Sequence, residues 1–521
     1  MSYNLILKNR YKNIFHNSGK AFFFQSFLLL ILSLLSFFIY KDIKTGVSFL
    51  LTYLICLGIS FLFRFLGRGK KLDIFNVQDA VMMIFFVWTI SIFISALPFV
   101  FGNILKIHHA IFEATSGWTT TGLSLITDVE IIPKPYLLWR SLIQYFGGAG
   151  FALIMLVTAG SMGVGIYQAE GRSDNLVPNF KDSVKIIGII YFSWTILGIL
   201  ALLLIGKMNF FDSFNHTLTA LATGGFSTKN DSIAAFNSVK VETIIIILMI
   251  AGSTGFGVHY AFTQMFKNTS SNIKEYFSKK IDKFEFRDRV KREPFFKNPE
   301  PKTMAVIIFI FLIIVFFFSA RYLYETNEAI RHTIFQVVSG LTGTGFSSTD
   351  LIPWNTIGLL SIVILMIIGG MMDSTSGGLK LFRVYIIIRV IKSRISLFFK
   401  PKGTTFHIEV RKGMSKKLID NESLREVISI VFIYFLVYFI GVFVMLAYGY
   451  NLEESLFEYA SALSAVGLSV GTTTPEAPNG IIWVKTIGMY LGRLEFFAIF
   501  YAIIKLYKDL KQGLLTKLNK K

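Results

Sequence analysis

Four short segments of this 521-residue chain share one pattern, in which small or hydroxyl-bearing residues precede a glycine and a bulky apolar residue follows it. They read Thr120-Thr121-Gly122-Leu123-Ser124, Thr223-Gly224-Gly225-Phe226-Ser227, Gly343-Thr344-Gly345-Phe346-Ser347 and Ala465-Val466-Gly467-Leu468-Ser469. Glycines 122, 225, 345 and 467 lie 103, 120 and 122 residues apart. The chemistry open to such segments is coordination of a bare cation. An ion entering a bilayer loses its water, and rings of backbone carbonyls replace that water for potassium. Lining a path with carbonyls needs backbone angles that glycine adopts at little steric cost. Irregular backbone at membrane depth is tolerated only where it lines a cavity or is buried in protein. Threonine and serine hydroxyls beside the glycines offer further oxygens.

Such segments must be held by something short. The stretches ahead of the glycines, 110–118, 212–221, 328–341 and 452–463, are too short to span a bilayer and fit re-entrant helices of two to three turns. The carbonyl end of a helix carries roughly half a negative elementary charge, which favours a cation. Phe112, Asn215, Phe335 and Phe457 each stand ten residues before their glycine, so the four stretches share a register. Around them run apolar segments near the roughly 20 residues that cross a membrane. Ten are counted: 21–40, 46–66, 80–101, 136–159, 184–204, 241–262, 304–322, 357–371, 428–446 and 481–506. The expected fold is an all-α polytopic membrane protein. Four pseudo-repeats of membrane helix, pore helix and membrane helix surround one pore, preceded by an N-terminal helix pair. The divisions are 1–75 for that pair, 76–165 for repeat 1, 180–266 for repeat 2 and 267–302 for a basic cytoplasmic loop. Repeat 3, whose second apolar run is broken by glycines and hydroxyls, takes 303–395, a second basic loop 396–424, and repeat 4 with the tail 425–521.

Composition agrees with a membrane protein: 53% of residues are hydrophobic and 16% charged, against about 25% charged in soluble domains. Segments between spans leave no room for a fused catalytic domain. The single cysteine, Cys56, lies in an apolar span, which excludes disulfides within the chain. No small-residue cleavage site follows the first apolar run, so an uncleaved first span is expected. The net charge of +20 is topogenic rather than a nucleic-acid footprint: 267–302 and 380–417 each hold eleven Lys/Arg, and 505–521 holds six. With both termini cytoplasmic, every basic cluster falls inside, as the positive-inside rule requires. Anionic lipid is the secondary reading of this charge.

At the four glycine segments the chain resembles the Trk/Ktr/HKT superfamily of potassium transporters, specifically the bacterial TrkH-type membrane subunit. The resemblance extends through Trp139-Arg140-Ser141-Leu142-Ile143-Gln144-Tyr145-Phe146-Gly147-Gly148, through 168–178, through 370–380 and through Gly492-Arg493-Leu494-Glu495. The two spans ahead of the first unit match the extra N-terminal pair of the TrkH type. It implies a potassium-binding filter at Thr120, Thr121, Gly122, Thr223, Gly224, Gly225, Gly343, Thr344, Gly345, Ala465, Val466 and Gly467. A glycine at each filter position goes with potassium selectivity, and a serine at the first goes with sodium transport in some plant members. It further implies a homodimer with one pore per subunit in the bacterial inner membrane, docked on a cytosolic ring of nucleotide-binding, TrkA-like or KtrA-like subunits. The surface for that ring is expected on 267–302 and 391–425. No cofactor is implied on this chain, with K+ as the transported ion.

Below the filter the family places a broken helix whose middle forms a gating loop. Here that region is Gly369, Gly370, Met371, Met372, Asp373, Ser374, Thr375, Ser376, Gly377 and Gly378, in which glycines and hydroxyls interrupt an apolar run. The family usually has small residues before the Ser-Thr pair, whereas this chain has two methionines and a carboxylate. Arg493 sits in the last apolar run, where a charge costs at least about 2.5–3.5 kcal/mol. An ion pair with Glu495 or Asp373 would account for it, and so would the family's pore cation acting on the gating loop. Lys380 either snorkels to the cytoplasmic interface or takes part in gating.

Other signals carry less. His108 and His109 adjoin the first short helix without metal-ligand spacing, and 252–257 is glycine-rich without a strand or a Gly-Lys-Ser/Thr, which reads as close helix packing. A sodium-conducting or poorly selective pore of the same fold is the alternative, since Ala465-Val466 gives the fourth segment no threonine. A lipid-modifying membrane enzyme would need paired acids or a histidine site, and a non-conducting scaffold would leave the four glycines without a use. The chain is therefore expected not to be an enzyme.

Overall fold

The computed structural model describes residues 3–69, 77–150, 180–278, 282–401, 408–412 and 415–518. The end of the expected span 136–159 and the stretch 168–178 lie outside the described residues. Helices α1 (Tyr3–Phe38) and α2 (Ile43–Leu66) form an antiparallel hairpin. Asp42 caps α2 by accepting from Thr45 N at 3.0 Å. The face of α2 turned inward is small and hydroxylic, with Gly46, Ser48, Thr52, Cys56 and Ser60 buried. Ser33 donates to the Gly46 carbonyl at 2.9 Å and Ser60 to that of Gly19 at 2.7 Å, so the two backbones approach closely, as helices in lipid do where small residues meet.

Four helix–short helix–helix units follow. The first holds α3 (Val77–Phe101), α4 (Ile107–Trp118) and α5 (Lys134–Tyr145), the last continuing as a π turn over Phe146–Gly150. The second holds α6 (Phe180–Leu204), α7 (Phe210–Leu221) and α8 (Val239–Ser253). Helix α8 turns by 107° into α9 (Phe256–Phe277), which leads to α10 (Lys283–Arg292). The third holds α11 (Pro299–Phe318), α12 (Thr326–Thr342) and α13 (Thr356–Ile368), then α14 (Leu381–Phe398). The fourth holds α15 (Asn421–Ala447), α16 (Leu452–Leu463) and α17 (Asn479–Arg493), which turns by 99° into α18 (Phe497–Leu518). Side-chain caps start these helices where the sequence provides them: Asn209 accepts from Asp212 N at 2.8 Å, and Asn451 with Glu454 forms a capping box on α16.

Burial runs opposite to a soluble protein. The long helices expose phenylalanines, among them Phe65, Phe192, Phe309 and Phe443, while residues 109–118 of the short helix α4 are all buried. Long apolar helices form a wall around short, more polar ones, which is the arrangement of a multi-pass membrane protein. By length and composition, six described helices suffice to cross a membrane, or eight if each bent pair counts as one span. That is fewer than the ten runs counted from sequence. Helix α13 has only 13 residues, ending at Gly369, whose φ of 72° no longer continues a helix. The fold is the expected all-α polytopic one; the second basic segment adds a small hairpin of β1 (Ile408–Lys412) and β2 (Ser415–Ile419), with Val410 opposite Lys417.

Candidate ion path

The expected short helices at 110–118, 212–221, 328–341 and 452–463 appear as α4, α7, α12 and α16, each ending next to its glycine segment. The residue two before the glycine is left-handed in every unit: Thr120 at φ 57°, Thr223 at 51°, Gly343 at 69° and Ala465 at 54°. The glycines themselves lie at 93°, 72°, 80° and 99°. The residue between them is not left-handed, so the handedness alternates along each segment. For the non-glycine residues the left-handed form costs of order 1–3 kcal/mol each and must be held by its surroundings. The hold is the same in all four units. The amides of Thr121, Gly224, Thr344 and Val466 donate to the carbonyls of Ser116, Thr219, Ser339 and Ser461, at 2.8, 2.8, 3.1 and 2.9 Å.

The four segments close on one another in a cycle. A β-carbon added to Gly122 would overlap the Gly224 carbonyl oxygen, and one on Gly225 the Thr344 oxygen. One on Gly345 would overlap the Val466 oxygen, and one on Gly467 the Thr121 oxygen, which returns to the first unit. All four glycines open onto one outer cavity of about 230 Å³. Residues that the sequence places more than 340 positions apart thus form a single ring. The Thr120 hydroxyl, fully buried there, has no hydrogen-bond partner among the described residues.

A second ring of contacts, missed in the sequence, braces the strands from behind. The residue nine before each glycine is polar and meets the serine two after it. Ser124 Oγ donates to Glu113 at 3.0 Å, and Ser469 Oγ to Glu458 at 2.5 Å. His216 Nε2 lies 2.9 Å from Ser227 Oγ, and Gln336 Nε2 donates to Ser347 Oγ at 2.8 Å. The two carboxylates are buried and paired, Glu113 with Arg140 and Glu458 with Lys485, both at 2.8 Å. Gln144 bridges the first two units, donating to the Gly224 carbonyl at 2.5 Å and accepting from Phe226 N at 3.1 Å. The signal was present as the fixed interval, but the partner's type changes from Glu to His to Gln, which hides it from a motif. Above the ring, Asn230 donates to Asp128 at 2.9 Å and Lys229 to Glu130 at 2.8 Å; these bonds lower both carboxyls from their ordinary values.

Beneath the ring lies the loop between α13 and α14. Its ends are tied by bonds from Leu379 N to Ile367 O and from Lys380 N to Ile368 O, both 2.9 Å, with Gly369, Gly370, Gly377 and Gly378 at the closure. Gly370 N donates to Ser376 Oγ at 3.0 Å. The loop touches the other units one by one. Thr375 Oγ1 donates to the carbonyls of Leu221 at 3.0 Å and Gly252 at 2.8 Å, and receives Thr223 Oγ1 at 3.1 Å. The Gly377 backbone sits against the Ser464 carbonyl, leaving no room for a β-carbon. Arg493 donates to the carbonyl of Thr375 at 2.6 Å and to those of Gly147 and Gly148 at 2.8 and 3.0 Å, joining loop, first unit and fourth unit. Glu495 pairs with Arg383 at 2.6 Å. Lys380 does not snorkel: it is buried and its ammonium donates to the Ser376 carbonyl. A polar cavity of about 40 Å³ remains here, lined by Gly147, Asp373, Ser374, Ser376, Lys380 and Arg493 among others. Among the described residues no group of three or more His, Cys, Asp or Glu could hold a metal ion.

A wall of membrane helices around four re-entrant segments that close a carbonyl-lined ring defines a polytopic transport protein. Residues 46–511 match the family model described as TrkH, cation transport protein, and the chain belongs to that family. It is accordingly a transport protein and not an enzyme. It is 28% identical over 473 residues, 90% of each chain, to an uncharacterized cation transporter of Methanocaldococcus jannaschii. It is 25% identical over 474 residues to the Trk system potassium uptake protein TrkH of Escherichia coli K12, covering 88% of this chain and 92% of that one. The crystal structure of the potassium transporter TrkH from Vibrio parahaemolyticus superposes with a TM-score of 0.77 at 23% identity, covering 94% of this chain and 97% of that one; this likeness is one of fold.

Proposed function

We propose that this chain takes up potassium across the cytoplasmic membrane through the ring formed by its four glycine segments. The observation that carries this reading is the cycle of glycine-on-carbonyl contacts from Gly122 through Gly225, Gly345 and Gly467 back to Thr121. Each glycine yields the space that brings the next unit's carbonyl toward the axis, so main-chain oxygens from four places converge on one ion. The coordinating set is 120–122, 223–225, 343–345 and 465–467. In the fourth unit Val466 supplies a carbonyl but no hydroxyl, so ring selectivity rests on the main chain rather than on threonine side chains. The loop 369–378 with Arg493 and Lys380 is the constriction below, two cations raising the barrier that potassium must pass. Relatives named as Trk system potassium uptake proteins support this reading. A homodimer, both termini in the cytoplasm of a bacterial cell, and a cytosolic nucleotide-binding ring on the segments 267–302 and 391–425 complete it.

The test is growth of a potassium-uptake-deficient bacterium on low-potassium medium, with tracer flux of potassium against sodium. The chain is expected to restore growth and to prefer potassium. Gly122→Ser, which puts a side chain on the Gly224 carbonyl, is expected to lower the potassium-to-sodium ratio at least about tenfold, the effect of roughly 1.4 kcal/mol at one ion site. A wild-type chain with equal fluxes would establish the poorly selective alternative.

A further inference from the structure

The loop beneath the ring is gripped from a direction that transport through it does not require. Three consecutive loop residues are bonded to the two roots of one segment, the excursion between α8 and α11. Met371 N donates to the Ser253 carbonyl at 3.0 Å, where α8 ends. Met372 N donates to Glu300 Oε1 at 2.7 Å, in the first turn of α11. The Asp373 carbonyl accepts from Phe256 N at 3.3 Å, where α9 begins. Gly255 packs against the Met372 carbonyl, which a β-carbon would displace. Glu300 is only 2% exposed. A carboxylate taken out of water is costly unless its bonds are made, and one of its bonds is to the loop amide of Met372, which any carbonyl could have satisfied.

Beyond its roots the excursion is internally bonded. Asn268 donates to Glu293 at 3.1 Å, Arg289 pairs with Glu275 at 2.8 Å, and the Phe262 and Phe295 rings lie 5.1 Å apart. A push on α9 or α10 is therefore carried to Phe256 and Glu300 together.

We propose that Glu300 is a positioning residue for the loop: with Phe256 it forms a two-point latch that holds 371–373 seated under the ring, so that movement of the basic excursion releases or tightens the constriction. Arg493 holds the same loop at Thr375. This latch rests on the reading of 369–378 as the constriction. It assigns that constriction a mechanical input, through a side chain that lines no part of the ion path.

The experiment is rubidium flux into liposomes containing the full chain without any partner protein, with the potassium-to-sodium ratio measured in parallel. Glu300→Ala is expected to raise partner-free flux roughly tenfold, the factor that loss of one hydrogen bond to a charged group implies, and to leave the ion ratio unchanged. Glu300→Gln, which keeps an acceptor oxygen, is expected to stay near wild type. Should Glu300→Ala fail to fold, the double variant Glu300→Cys, Met372→Cys decides. The one native cysteine, Cys56, is buried and will not interfere. Joining the new pair with a short bifunctional thiol reagent is expected to lower flux, and reductant to restore it. Unchanged flux in Glu300→Ala, or in the joined pair, overturns the latch. If Arg493→Ala raises flux while Glu300→Ala does not, the constriction stands and the latch alone falls; if neither alters flux, both fall.

Discussion

Arg493 donates from its fork to three carbonyls, Thr375 of the loop and Gly147 and Gly148 of the π turn after α5. Those bonds hold the guanidinium at the loop beneath the ring. A fixed positive charge beneath a carbonyl ring opposes a cation by Coulomb repulsion, about 4 kcal/mol at 4 Å for an effective dielectric of 20. On the proposed reading, removing it acts on the rate of passage and leaves the choice of ion to the ring. Arg493→Ala is expected to raise potassium flux severalfold with the potassium-to-sodium ratio unchanged, measured as tracer uptake in liposomes. Arg493→Lys separates two contributions, because lysine keeps the charge and loses the planar fork: its flux is expected between wild type and alanine. A fall in selectivity in either variant would place Arg493 in the choice of ion instead.

The short helices and their return strands work as paired elements, and what binds each pair is the side chain nine residues before the glycine. In α4 and α16 that side chain is a buried carboxylate with a cation on the following helix, Arg140 on α5 and Lys485 on α17. Breaking a buried pair by removing one partner leaves an uncompensated charge and costs about 3–5 kcal/mol, whereas replacing both is often close to neutral. Lys485→Met is thus expected to lower the melting temperature in detergent strongly, and Glu458→Gln with Lys485→Met to recover most of the loss; equal melting of the single and double variants would mean that the pair contributes nothing as a pair. The short helices themselves were legible in the sequence, since 452–463 was expected and Leu452–Leu463 is found: helix, cap and glycine are neighbours in the chain. The bracing was not legible, because Glu113, His216, Gln336 and Glu458 share a place and a task but not a residue type. Nor were the bends of 107° and 99° legible, since an apolar run reads the same whether straight or folded. At Gly255 the turn is fixed by the Met372 carbonyl, more than a hundred residues away.

At the scale of the whole molecule, the proposed orientation puts the basic clusters on the cytoplasmic side, and with it the direction in which an ion would meet the ring and the loop. The ring's outer cavity and the bonds Asn230–Asp128 and Lys229–Glu130 lie on one face. The basic helix α10 and the end of α14 belong to segments that together hold most of the chain's excess of Lys and Arg, and the retention of such clusters on the cytoplasmic side sets orientation. A cation moving inward then passes the ring first and the loop with Arg493 second, descending the membrane potential by about 2.3 kcal/mol per 100 mV. The orientation is open to direct measurement. In a Cys56→Ser background, Ile131→Cys, at a site 79% exposed in the turn before α5, is expected to react with a membrane-impermeant maleimide on intact cells. Phe398→Cys, at a site 85% exposed at the end of α14, is expected to react only after the cells are permeabilised. The reverse pattern would put the ring on the cytoplasmic side and Arg493 outside, so that inward ions would meet the constriction before the site that selects them.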